Sequence, residues 1–258
     1  MIRVAVMGAL GRMGTEVMKA VSEDSEIQLV CGVDPKAEGV EKVEIVGSNI
    51  PVFNSKEKIT TELPTPPDVI VDFTLADAAI QNINWALENR IHAVVGTTGI
   101  PEEQISLIRK EAEEKGCNIL IAANFAIGAV LMMKFAEMAS RVFDQCEIVE
   151  LHHRGKIDAP SGTAIATAKR IISSIDQSSN VSLDGSRGGL IGGVRIHSVR
   201  LDGLVAHQEV IFGGKGQTLI IRHDTTDRSC FMPGVLMAIK AIKNLPGLTI
   251  GLEPILGI

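Results

Sequence analysis

Ile2-Arg3-Val4-Ala5-Val6-Met7-Gly8-Ala9-Leu10-Gly11-Arg12-Met13-Gly14 passes from an apolar run of strand length into a GxxGxxG turn. Helical spacing follows over Gly11–Val21. A buried strand, a glycine-rich turn and a helix in this order open a dinucleotide-binding βαβ unit. Gly8, Gly11 and Gly14 permit a tight turn and close approach of a pyrophosphate, whose charge is drawn to free N–H groups at the helix start. The spacing departs from strict GxGxxG, so the glycines alone are also compatible with an ordinary glycine-rich turn.

The stretches downstream add context. Ile27–Val33 reads as a second strand ending at Asp34-Pro35. Asp34 stands where an acid accepts hydrogen bonds from the adenosine ribose hydroxyls, although a turn residue before proline would look the same. An acid there favours NAD over NADP, because a 2′-phosphate would face a negative side chain; Arg12 and Lys36 soften the preference. NADH, NADPH or both are expected. Lys36–Pro67 is weakly patterned and is expected to be loop with one short strand and helix. Strands are expected over Val69–Phe73, His92–Val95 and Asn118–Ala122, alternating with helices over Ala76–Asn89 and Pro101–Lys115, the pattern of a parallel α/β sheet. Gly96-Thr97-Thr98-Gly99 and Ala122-Ala123-Asn124-Phe125 each follow a strand, at the carboxyl edge where such sheets bind ligands. The first suits contact with a nicotinamide ribose or ring, and the second a far wall and hinge. Each is also acceptable as plain loop.

Bulk properties narrow the partners. A net charge of −6 argues against a phosphate backbone or an anionic membrane, and an aromatic content of 3% with no tyrosine removes the stacking platform of a single-strand binder. Cys31, Cys117, Cys146 and Cys230 form no CxxC pair and read as thiols of a reducing compartment. With Met1 running straight into a strand and no apolar run of spanning length, a cytoplasmic enzyme without membrane or nucleic-acid partners is expected.

Beyond Asn124 the pattern changes. Gly128–Phe143 reads as helix, Cys146–His153 as strand and Ser161–Ser174 as helix. Val194–Arg200, Val205–Phe212 and Gln217–His223 read as antiparallel strands of an open sheet, with Gly213-Gly214 turning between the last two. Met232–Lys243 is expected as the closing helix. The expected fold class is α/β: an N-terminal Rossmann dinucleotide-binding domain, residues 1–123 plus 228–258, with an inserted α+β domain carrying an open mixed or antiparallel sheet. That insert, residues 124–227, is the expected substrate-binding and oligomerisation domain, meeting the first in a cleft.

An acidic protein that binds an acidic small molecule needs a local basic pocket. Glu150-Leu151-His152-His153-Arg154-Gly155-Lys156-Ile157-Asp158-Ala159-Pro160-Ser161-Gly162-Thr163-Ala164 gathers His152, His153, Arg154 and Lys156 just before a helix start. Ser161 is a natural N-cap, Gly162 allows close approach, and the amides of Gly162, Thr163 and Ala164 suit a carboxylate. Adjacent histidines on a strand point to opposite faces and cannot easily grip one ion, so no metal is expected. A solvated charged turn before a capped helix is the bland alternative.

HHRGKIDAPSGTA, with GALGRMG, GTTG and ANF, closely resembles the 4-hydroxy-tetrahydrodipicolinate reductase (dihydrodipicolinate reductase) family, over essentially the whole chain. The histidine-lysine-SGT motif is specific to that family; the glycine turn is not. The resemblance implies NAD(P)H-dependent reduction of a small cyclic dicarboxylate in the diaminopimelate route to lysine. It makes His152 the general acid, Lys156 the residue that binds and polarises substrate, and His153 with the Ser161-Gly162-Thr163 backbone the carboxylate contacts. Gly8, Arg12, Met13, Asp34, Gly96, Thr98 and Phe125 are implied to line the cofactor, with Gly11, Gly14, Thr97, Ala123 and Asn124 in the same loops and Arg228 near cofactor and hinge. A homotetramer through the open sheet is implied as well. Ala126 stands where many relatives carry serine, and Gln217 where many carry glutamate, which leaves hinge hydrogen bonding and the assembly sheet open at those points.

Two other classes share the nucleotide half. An aldehyde dehydrogenase with an acyl-enzyme step needs a nucleophilic cysteine, and Cys31, Cys117 and Cys146 fall in or beside strands, where inert packing is expected. A redox sensor binds the dinucleotide without turnover and has no need of His152 beside Lys156.

Overall fold

The computed structural model describes residues 1–38, 40–171 and 185–258. The chain divides into two compact units, Met1–Ile127 with Phe231–Ile258, and Gly128–Cys230.

In the first unit the opening run forms β1 (Ile2–Met7), whose Val4, Ala5 and Val6 are fully buried, and α1 (Arg12–Glu23) follows. Then come β2 (Ile27–Val33), β3 (Val40–Ile45), β4 (Ser48–Phe53), α2 (Glu57–Glu62), β5 (Val69–Asp72), α3 (Ala76–Glu88), β6 (His92–Val95), α4 (Glu102–Lys115) and β7 (Ile119–Ile121). The strand order, after a last strand from the C-terminus, is β7-β6-β5-β1-β2-β4-β3, parallel throughout except for the β3–β4 hairpin. The chain winds outward from β1 in one direction, then returns to β5 and winds in the other. That reversal between β1 and β5 is the switch point at which open α/β sheets take ligands.

The second unit holds α5 (Ile127–Ala139), β8 (Gln145–His152), α6 (Gly162–Arg170), β9 (Gly189–Ile191), β10 (Val194–Arg200), β11 (Ala206–Gly214) and β12 (Gln217–Thr225). Its sheet order is β12-β11-β8-β10-β9, with β8–β10 parallel and the other pairs antiparallel. The chain then returns to the first unit with α7 (Met232–Ala241), β13 (Leu248–Ile250) and α8 (Glu253–Leu256). β13 pairs in parallel with β7, completing the first sheet. No helix among the described residues is long and apolar enough to cross a membrane.

The α/β class with a parallel Rossmann-like sheet and a second mixed, mostly antiparallel sheet matches the sequence expectation. Several particulars do not. The Lys36–Pro67 stretch holds two paired strands, joined by Val46-Gly47 with both residues at positive φ (47° and 73°). A β-branched residue is rare there, so Gly47 alone did not mark the pair as a hairpin turn. Val194–Arg200 and Val205–Phe212 are not neighbours: β8 lies between them, and β10 runs parallel to it. Alternation reports that a strand has two faces and says nothing about which strand lies beside it. The turn after β11 is Lys215-Gly216, with Gly216 at φ 74°, because Gly213 and Gly214 remain paired to Thr218 and Gln217. The helix from Met232 does not close the chain, since β13 and α8 follow, and three residues are too few to show a period. α5 stops at Ala139 rather than Phe143. The expected end of the Ser161 helix, at Ser174, lies outside the described residues.

Candidate active site

In the first unit the expected cofactor residues lie at the carboxyl edge of the parallel sheet. Gly8 adopts φ +74°, and a Cβ on Gly14 would stand 2.1 Å from the Gly8 carbonyl oxygen, so helix and turn can approach only without side chains. The start of α1 carries no side-chain cap and no acid in its first turn. The Arg12, Met13 and Gly14 amides of that first turn are left to an anion. Arg12 itself is exposed. Asp34 directly follows β2 and is largely buried; one oxygen accepts from the Leu10 amide and the other from the Lys36 amide, each at 3.0 Å. This donor set and the bare glycine cradle fit a dinucleotide.

Two residues that sequence reading left out shape the neighbouring loops. Asp72, fully buried at the end of β5, accepts from the Thr74 amide (2.8 Å), the Thr74 hydroxyl (2.7 Å), Asn82 Nδ2 (2.7 Å) and the Thr97 hydroxyl (3.2 Å). Thr97 is thus turned inward, also reaching the Thr74 carbonyl at 3.0 Å, while Thr98 is exposed. Phe73 packs its ring over Gly96 and lies 5.6 Å, centroid to centroid, from buried Phe125. An aromatic at a strand's carboxyl end, in a chain so poor in aromatics, was the available signal. Ala123 is exposed, and Asn124 Oδ1 accepts from the Ala126 amide at 2.9 Å.

In the second unit, β8 sets its even-numbered residues toward the interior: Cys146, Ile148 and Glu150 are buried, with His152 next in the column. Glu150 occupies a core position with no exposure. Burial alone would raise its pKa, but hydrogen bonds from Arg200, Ser198 and His152 bring it below the ordinary value. Arg200 forks onto it, Nη2 to Oε1 at 2.8 Å and Nη1 to Oε2 at 2.9 Å, and His152 Nδ1 lies 2.5 Å from Oε2. Burial lowers the His152 pKa, Lys156 and Arg200 add to that, and Glu150 opposes it.

The strand ends at His152. The Lys156 amide donates to the His153 carbonyl at 3.1 Å, so the chain turns and the strand parity stops there, leaving His153 exposed. Lys156 Nζ lies 2.7 Å from Asp158 Oδ1. The Asp158 carboxyl is held below its usual range by Lys156 first, with the Gly162 amide contributing. Ser161 caps α6, its hydroxyl accepting from the Ala164 amide at 3.2 Å. This corrects the expectation for Ala164: its amide is taken by the cap, while the Gly162 amide is directed to Asp158. Arg228 is exposed in a short 3-10 turn at the end of this unit.

A switch-point sheet with an uncapped glycine turn, in a chain whose second unit bears an imidazole, an ammonium group and a helix start, defines a class: dinucleotide-dependent oxidoreductases built of two units. Within it, residues 2–125 match the family described as dihydrodipicolinate reductase, N-terminus, and residues 128–256 match dihydrodipicolinate reductase, C-terminus. The chain belongs to the dihydrodipicolinate reductase family.

It is 49% identical to the 4-hydroxy-tetrahydrodipicolinate reductase of Syntrophomonas wolfei (98% of each chain covered) and 45% identical to that of Cutibacterium acnes (100% of each). A dipicolinate-bound dihydrodipicolinate reductase from Paenisporosarcina sp. TG-14 superposes with a TM-score of 0.87 at 38% identity, covering 98% of this chain and 99% of that one. The WlbA dehydrogenase of Thermus thermophilus, at 13% identity and a TM-score of 0.59 over 99% of this chain and 91% of that one, shares the fold alone. The chain is an NAD(P)H-dependent oxidoreductase that reduces 4-hydroxy-tetrahydrodipicolinate in lysine and diaminopimelate biosynthesis.

Proposed function

We propose that His152 gives the proton in this reduction and that Lys156, with His153, Ser161 and the amides of Gly162 and Thr163, holds the substrate carboxylates. Asp158 carries the proposal: its carboxylate already sits on Lys156 Nζ at 2.7 Å, with the Gly162 amide drawing on it too. Those donors suit the carboxylate of a substrate equally well. The dipicolinate bound by the Paenisporosarcina relative is a compact dicarboxylate of the same kind.

Gly8, Gly11, Arg12, Met13, Gly14, Asp34, Gly96, Thr97, Thr98, Ala123, Asn124, Phe125 and Arg228 are the proposed cofactor contacts. A bound reduced nicotinamide supplies the hydride. Lys156 and the helix-start amides orient the dicarboxylate, which lowers the entropic part of the barrier. Water leaves the 4-hydroxy substrate to give a conjugated imine, and one hydride and one proton then add. With Nδ1 engaged by Glu150, Nε2 of His152 is the atom that gives the proton.

The first unit is proposed as the dinucleotide-binding domain and the second as the substrate-binding and oligomerisation domain. A homotetramer belongs to the same proposal. The β-sheet face carrying Val149, Leu151, Val199, Ile211 and Ile220 is incompletely covered within the chain, and Ile220 is 55% exposed. A cytoplasmic location is included too, supported by four free cysteines.

The test is steady-state kinetics with freshly condensed aspartate semialdehyde and pyruvate product. His152→Gln is expected to lower kcat by about 10²–10⁴-fold with a smaller effect on KM. Lys156→Ala is expected to damage both parameters. Near-normal turnover by either variant removes that residue from its role.

A further inference from the structure

Glu150 is a carboxylate in a core position, and an ion there is tolerated only when its hydrogen-bonding capacity is met. Its neighbours on β8 in the same column, Cys146 and Ile148, are apolar, so packing alone does not call for an acid. Besides Ser198, its contacts lead to separate parts of the second unit. Oε2 meets His152 Nδ1 at 2.5 Å, and Oε1 accepts from the Ser161 amide, at the start of α6, at 3.3 Å. Both oxygens accept from Arg200, which β10 delivers by pairing Arg200 directly with His152. Arg200 Nη2 also donates to the Asp158 carbonyl at 2.7 Å, in the loop that carries Lys156.

We propose that Glu150, clamped by Arg200, is the positioning residue of the active site, fixing His152 as the Nδ1–H tautomer with Nε2 free and tying the helix start and the lysine loop to the same anchor. The proposal rests on His152 being the proton donor. Glu150 touches neither substrate nor cofactor and acts through the imidazole. Arg200 tempers it: a lone buried carboxylate would hold the imidazolium strongly, whereas a carboxylate shared with a guanidinium orients the ring and leaves its proton transferable. Burial is the main reason the His152 pKa lies below its ordinary value, with Lys156 and then Arg200 adding to it against Glu150.

The experiment compares Glu150→Gln, His152→Gln and the double variant in the full-length enzyme, alongside ¹⁵N NMR of the wild-type histidine rings. Glu150→Gln is expected to lower kcat by about 10²-fold, since the oriented acid is what is lost, with the KM values for substrate and NADH changed less than about threefold. The alkaline fall of kcat/KM moves to lower pH, because the anion that favours the imidazolium is gone. The double variant is expected to be no slower than His152→Gln alone, the non-additivity of residues acting as a unit. Multiplicative losses, or a Glu150→Gln rate and pH profile matching wild type, overturn the proposal. If His152→Gln is fully active, the proton-donor assignment itself fails, a distinct outcome. If Glu150→Gln does not fold, the wild-type ¹⁵N shifts decide alone: neutral His152 protonated on Nδ1 supports the proposal, and protonation on Nε2 overturns it.

Discussion

The ring of Phe73 lies so close to Gly96 that a Cβ on residue 96 would stand 2.1 Å from Phe73 Cε1. Three neighbouring strands of the first sheet, β5, β6 and β7, are thus followed by Phe73, Gly96 and the segment leading to Phe125, with the two rings 5.6 Å apart. The wall next to the threonine loop depends on one residue having no side chain.

Gly96→Ala is therefore expected to push the Phe73 ring aside. Overpacking of this kind costs about 1–3 kcal/mol, and the displaced ring would disturb the proposed nicotinamide wall. A melt and an NADH fluorescence titration should show a lower Tm and a Kd raised about tenfold. An unchanged Kd would mean that the cofactor does not use this wall.

Asp34 holds the Leu10 and Lys36 amides with its two oxygens, so it shapes the turn as well as presenting charge. Asp34→Asn is expected to weaken NADH use and to narrow the gap between NADH and NADPH, because the charge that would repel a 2′-phosphate is gone. Comparing kcat/KM for both cofactors checks this. An equal loss for both would restrict Asp34 to bracing the turn.

Acid should destabilise the enzyme steadily. Glu150 is depressed in the fold, so its contribution is present above its unfolded value near ~4.3 and is lost as pH falls through the folded one. His152, His92 and His223 are lowered, all three chiefly by burial. The unfolded chain therefore takes up their protons first, below ~6.5, which also favours unfolding. Both effects have the same sign, so the urea midpoint is expected to fall continuously from pH 7 to pH 4. A maximum near pH 5 would contradict it.

Burial pushes the Cys31 and Cys146 thiols up to about 12, where thiolate is scarce at ordinary pH. A thiol reagent at pH 8 should leave both untouched in the native enzyme and modify them in denaturant. Rapid native labelling of either would show that its strand opens.

β1, β2, β5, β6 and β7 of the first sheet were legible because they are largely buried and read as apolar runs; β2, at Ile27–Val33, and β6, at His92–Val95, carry the bounds expected for them. His152, Lys156 and the capped helix start, the proposed proton donor and carboxylate contacts, stood out in the sequence for a different reason, since they sit within one short run of chain. Phe73 escaped because its meaning depends on Gly96, and Glu150 because its partner Arg200 is fifty residues away.

The chain's order of residues determined by itself the class of fold, the glycine turn and the cationic run, all of which arise from short-range periodicity and local backbone chemistry. Only the folded chain decided that β8 lies between β10 and β11, that β13 completes the first sheet, and that a buried carboxylate holds the imidazole. Strand adjacency and the satisfaction of a buried charge are long-range matters. Loop closure and packing settle them, and no window of neighbouring residues contains both partners.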